Sequence, residues 1–110
     1  MRSGVYAILP LPIRRALRKL GADVALARRK RKLTVGMMAE RIGVAKPTYL
    51  KVEKGDPRVG VAIYAMTLFV LGLGDAIGDL ADPRADDHGL LMDFTRLPKR
   101  VRVKLEPTSK

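Results

Sequence analysis

The sequence predicts an all-α protein of five helices. An N-terminal arm spans residues 1–12, a helical domain 13–81, and a linker with a basic C-terminal tail 82–110. Three observations lead there. Ile13, Leu17, Leu20, Val24 and Ala27 recur at alternating spacings of four and three, one apolar stripe of a helix. Thr34 to Gly55 reads as two short helices joined by a tight turn. Val59 to Gly74 runs sixteen residues without a charge, in the composition of a buried helix.

Met1 to Pro12 is apolar and proline-punctuated, with Tyr6, Ile8, Leu9 and Leu11 in no clear period. It is either a flexible arm or a segment that packs on a partner subunit. The first helix opens near Ile13, with Pro12 at a first-turn position where its missing N–H costs nothing. Gly21 interrupts it at about 1 kcal/mol relative to alanine, so a bend or restart is expected there. Arg28-Arg29-Lys30-Arg31-Lys32 closes it. Five cations suit the carboxyl end of the helix dipole, and they also make a phosphate-contacting edge.

In the second helix, Val35 to Ile42, Met38, Ala39 and Ile42 share one face, Thr34 is a good N-cap and Gly43 a good terminator. The third opens at Lys46-Pro47. It turns Tyr49 and Val52 inward, exposes Lys46, Thr48, Leu50 and Lys51, and closes at Gly55. Two helices about a glycine-containing turn of three to four residues make a helix-turn-helix, whose second helix enters the DNA major groove. The block Leu33 to Gly55 resembles the phage-repressor-like (XRE/Cro) helix-turn-helix family, usually worded close to LTQEELAERLGVSRSTISKIERG. Leu33, Thr34, Ala39, Glu40, Arg41, Gly43, Val44, Thr48, Lys51, Glu53 and Gly55 match it in place. With flanking helices the resemblance covers roughly residues 17 to 80, so the fold it implies is a five-helix phage-repressor-like domain. Val35 stands where that family usually has a contacting Gln, Ala45 where it has a Ser cap, and Pro47 at a polar base-reading position. The resemblance also implies that Arg28 pairs with Glu53, tying the first helix to the end of the third.

Val59 to Gly74 is too short for a membrane span, which needs about 20 apolar residues. It holds more apolar side chains than one buried face uses, so Ile63, Met66, Phe69 and Val70 are the expected homodimer interface. Asp75 to Leu80 reads as a closing helix, with Asp75 as N-cap and Ile77 and Leu80 facing in. Asp82 to Gly89 is an acidic linker in which His88, the sole histidine, is an ordinary loop residue. Leu90 to Leu97 suggests a helical turn docking Leu91 and Phe94. Arg100 to Leu105 alternates basic and apolar residues with the period of a short strand. Such a strand pairs with a partner chain or stays disordered, and a basic tail also suits the DNA backbone.

The net charge of +11 is segregated. Residues 1–32 carry ten Lys/Arg against Asp23, residues 55–95 carry seven Asp against Arg58 and Arg84, and residues 96–110 turn basic again with six against Glu106. A basic reading half and an acidic averted half fit polyanion binding. With no cysteine and one histidine, neither a disulfide framework nor a thiolate metal site is available. No metal, cofactor or catalytic constellation is expected, and Gly72-Leu73-Gly74 follows a helix, not the strand of a nucleotide fingerprint. No signal-peptide pattern is visible, so the expectation is a cytoplasmic, non-enzymatic protein without a membrane role.

The expected function is a sequence-specific regulator, a repressor, of double-stranded operator DNA. Lys46, Pro47, Leu50 and Lys51 face base edges. Lys suits guanine O6 and N7, and Leu50 suits a thymine methyl or, alternatively, a partner helix. Thr34, Thr48, Arg29, Arg31 and Lys32 face phosphates, and Tyr49 is mostly core with its hydroxyl toward a phosphate. The order of the helical core, then ADP, then RLPKRVR also looks like HipB-type antitoxins. That shorter resemblance implies a HipA-type kinase toxin as partner and autoregulation of an operon. The alternatives are a toxin-neutralising interaction protein with DNA binding secondary, and a stand-alone repressor.

Overall fold

The computed structural model describes residues 8–92 and 97–103. Every regular element among the described residues is helical, and none of those helices is long and apolar enough to cross a membrane. The chain divides into two compact units that meet between Leu80 and Ala81, one residue before the expected boundary.

In the first unit, α1 spans Leu11–Lys30, α2 Val35–Ile42, α3 Lys46–Glu53, α4 Val61–Val70 and α5 Asp75–Gly78. α1 starts two residues earlier than Ile13, because the Pro10 carbonyl accepts from the amides of Ile13 and Arg14 at 3.0 and 3.1 Å. Leu11 and Pro12 therefore belong to the helix and not to an arm. α1 also passes through Gly21 without restarting. That glycine serves a close crossing: a Cβ there would lie 2.5 Å from the Glu53 carbonyl oxygen and 2.6 Å from the Gly55 nitrogen. On the facing side, a Cβ on Gly55 would collide with the Leu17 carbonyl, and its φ of 69° is the left-handed conformation that glycine adopts cheaply. Two glycines thus bring the backbones of α1 and the end of α3 together.

α1 packs on α3, α3 on α2, and α2 on α4. Their shared core is Val24, Met38, Ala39, Tyr49, Val52, Tyr64, Leu68 and Leu71. Thr67 is fully buried among them and satisfies its hydroxyl by donating to the Ile63 carbonyl at 2.8 Å. α3 ends in a Schellman motif, with Gly55 N–H on the Val52 carbonyl at 2.9 Å and Asp56 N–H on the Lys51 carbonyl at 3.0 Å.

Several expectations for the later chain are corrected. Asp75 is not an N-cap; Gly74 is, and α5 ends at Gly78. Leu80 does not face in but is 76% exposed, because the helix stops before reaching it. In the second unit, the stretch expected to be linker forms a 3-10 turn over Pro83–Ala85 and a short helix, α6, over Asp87–Leu90. Asp82 accepts from the Arg84 amide and Asp86 from the Gly89 amide, so these acids are caps. The helical turn falls before Leu91, which is 87% exposed instead of docked. Residues 97–103 contain no strand; a single tail has no edge to pair with. The arm residue Tyr6, Phe94 and the strand's Lys104 and Leu105 lie outside the described residues.

Candidate nucleic-acid interface

α3 divides cleanly into a held face and an offered face. Tyr49 and Val52 are fully buried. Glu53 is locked between elements: Arg28 of α1 donates to it through Nε at 2.6 Å and through its second terminal nitrogen at 3.4 Å. Arg28 donates also to the Leu33 carbonyl at 2.9 Å, and Tyr49 donates its hydroxyl to the same Glu53 carboxylate. The hydrogen bonds to Glu53 hold the Arg28 guanidinium even more firmly protonated than usual. Burial, and then the Glu53 carboxylate, push the Tyr49 hydroxyl above the ordinary tyrosine range. Both members of the ion pair are only 13% exposed. Losing either would strand the other in a site largely screened from water.

This arrangement corrects one assignment. The Tyr49 side chain is sealed in the core and its hydroxyl proton is committed to Glu53, so it is unavailable to a phosphate. Thr48 is half-buried where full exposure was expected.

The offered face carries Lys46, Pro47, Leu50 and Lys51, all exposed, with Lys54 following in the cap. Pro47 occupies the first turn, as its missing N–H allows. Ala45 supplies no side-chain cap, so the amino end of α3 keeps its first N–H groups open for another acceptor.

Lys46 does more than point outward. A Cβ built on Gly36 would lie 3.1 Å from Lys46 Cε, 3.7 Å from its Nζ and 3.8 Å from Thr34 Oγ1. The lysine stem therefore crosses the amino end of α2, and its ammonium rests beside the first turn. Thr34 Oγ1 accepts from the Met37 amide there at 3.0 Å. The earlier N–H groups of that turn have no acceptor within the helix. A cation added to the positive end of a helix dipole concentrates positive potential, which suits a phosphate. Sequence periodicity gave no hint of the Lys46–Gly36 contact, since it joins residues on different helices.

The cations after Arg28 lie at the carboxyl end of α1, just ahead of α2. Arg29 is exposed, and Arg31 donates to the Ala27 carbonyl at 2.9 Å while staying at the surface. Lys32 has a φ of 57°, with its amide on the Arg29 carbonyl at 2.9 Å. It sits where a helix terminator is usually glycine. On the far side of α3, Asp56 holds Arg58 in a fork, with oxygen to nitrogen distances of 3.1 and 3.0 Å. Arg58, through its side chain and its backbone N–H, and more weakly Lys51, keeps the Asp56 carboxyl below its usual range.

The expected self-association residues separate. Ile63 and Val70 are half-buried and pack on this unit's own core. Met66 and Phe69 are 39% and 67% exposed. Leu73 was not singled out from sequence and is 43% exposed, four residues beyond Phe69. The outward apolar face of this region thus runs through Met66, Phe69 and Leu73. Leu73 also lines a cleft of about 300 Å³ with Leu20, Asp23, Val24, Leu68, Ala76, Ile77 and Leu80.

Among the described residues no three His, Asp or Glu side chains gather as metal ligands. In comparisons with known proteins, no family model, no curated protein and no solved structure matches the chain.

Proposed function

We propose that the protein is a sequence-specific regulator of double-stranded DNA, a repressor that binds its operator as a homodimer. In this reading α2, the turn Gly43-Val44-Ala45 and α3 are a helix-turn-helix within a five-helix phage-repressor-like domain. The observation that carries it is the two-faced α3. Its inner face is fixed by Tyr49, Val52 and the Arg28–Glu53 pair, and its outer face offers Lys46, Pro47, Leu50 and Lys51. A helix held this rigidly presents side chains at fixed positions, which reading base edges requires. Thr34, Thr48, Arg29, Arg31 and Lys32 take the phosphate contacts that set its register.

Two-fold symmetric operators need two reading helices. Met66 and Phe69, exposed in a charge-free stretch of a +11 chain, support pairing there because like-charge repulsion is least at that surface. Replacing Lys51 with alanine is expected to cost about 1–3 kcal/mol on the cognate site and much less on random DNA. Fluorescence anisotropy on both duplexes checks this, and equal losses would reassign Lys51 to phosphate.

A second reading adds a protein partner, a HipA-type kinase toxin that the protein neutralises while repressing its own operon. The observation in its favour is the second unit's tail, where Leu97, Val101 and Val103 are 65%, 77% and 84% exposed beside Arg100 and Arg102. Co-purification with a kinase at fixed stoichiometry, lost on truncation after Leu97, distinguishes it from a stand-alone repressor.

A further inference from the structure

The chain contains no asparagine and no glutamine. Those two side chains read adenine in the major groove by accepting from its N6 amino group while donating to N7. The exposed face of α3 narrows the chemistry further. Lys46 and Lys51 are ammonium groups, which donate and never accept. Pro47 and Leu50 do neither. The acid on this helix, Glu53, is withdrawn: its carboxylate is occupied by Arg28 at 2.6 Å and by the Tyr49 hydroxyl. The Thr48 hydroxyl is half-buried and in this reading is committed to a phosphate, so it is not part of the base-reading face.

We infer that α3 reads DNA as a donor-only surface. It detects acceptor atoms and the thymine methyl, above all guanine through N7 and O6 and thymine through O4 and its methyl. Guanine presents N7 and O6, two acceptors for an ammonium. Thymine presents O4 and a methyl, which match Lys and Leu50. The amino groups of adenine and cytosine need an acceptor that this face lacks, so they are not read. The inference rests on the reading of α3 as the groove-entering helix, and it adds which atoms of the bases that helix detects.

The test begins with selection of bound sequences from a random duplex pool by the full-length protein. The selected duplex is then rebuilt with single base analogues. These are 7-deazaguanine, which lacks the N7 acceptor, uracil, which lacks the thymine methyl, and purine in place of adenine, which lacks the N6 amino group. We expect 7-deazaguanine to weaken binding about tenfold at a contacted guanine. Uracil should weaken it about fourfold at the contacted thymine, the worth of one buried methyl. Purine should leave affinity within about twofold, since no partner for the amino group exists. In the Leu50→Ala protein the thymine-to-uracil loss should vanish. Leu50 is exposed, so this variant keeps its fold. Loss of affinity with purine but not with 7-deazaguanine or uracil would overturn the donor-only surface and leave a sequence-reading protein in place. A pool that enriches no motif would overturn the DNA-reading function beneath it as well.

Discussion

Gly21 shows how one residue's meaning depends on what lies across from it. As a helix-interior glycine it is a defect of about 1 kcal/mol that alanine should repair. In the fold, alanine's Cβ would stand 2.5 Å from the Glu53 carbonyl oxygen, which is backbone and cannot swing aside. Gly21→Ala is therefore expected to destabilise the protein by about 1–3 kcal/mol, the usual cost of forcing an overpacked contact. Denaturant unfolding of the two proteins measures the sign directly. The sequence made Gly21 visible as an interruption, but the crossing with Gly55 pairs residues far apart in the chain, which periodicity cannot detect. The converse holds for Thr34 and Gly43, whose roles are local. The cap on Met37 and the φ of 90° lie where residue type alone put them. Tyr49 was half legible: its inward position followed from helical spacing, whereas the fate of its hydroxyl depended on a Glu53 carboxylate shared with another helix.

At the scale of elements, α1 to α3 were legible because each carries a periodic or capping signal, and α4 because its stretch runs apolar and without a charge. α5 was legible as a closing helix beginning at Asp75, though its end at Gly78 was not. α6 and the 3-10 turn were read as linker, since segments of three or four residues are shorter than any helical period that can be tested. The loop joining α3 to α4 gains its order from Tyr64, whose hydroxyl donates to the Asp56 carbonyl at 2.8 Å. Burial, and then the nearby Asp56 charge, push the Tyr64 hydroxyl from 10.0 up to about 12. A group whose pKa is raised on folding contributes its full stability below the unfolded value and loses it as pH climbs through the folded one. Stability from Tyr64 should thus be intact below pH 10 and fall between pH 10 and about 12. Tyr64→Phe is expected to show a shallower alkaline decline than the parent over that window, followed by circular dichroism. Equal slopes would mean that the hydroxyl stays exposed in solution.

For the whole molecule, the question is how a +11 chain would meet a second copy of itself in the proposed homodimer. Phe69, 67% exposed on the charge-free stretch, is where the proposed dimer is most vulnerable. Phe69→Lys leaves the core untouched and places like charges face to face. The expected result is a monomer by sedimentation, with unchanged helical content and weaker operator binding; a variant that still sediments as a dimer would place the interface elsewhere. The charge-free composition of this stretch was legible in the sequence. Which of its residues point outward was not, because a helix apolar on nearly every side has no marked face, and α4 had to be seen against α2 to choose Met66 and Phe69 over Ile63 and Val70.

The most direct measurement of the central claim is the affinity of the purified protein for the DNA upstream of its own gene and for a scrambled duplex, each at two salt concentrations. We expect a preference on the order of 10³-fold or more for the upstream DNA. Both affinities should fall with salt, by about 0.9 logarithmic units per tenfold increase for each phosphate neutralised. Equal, salt-sensitive binding to both duplexes would contradict a reading function for α3 and leave a basic fold whose specificity lies with a protein partner.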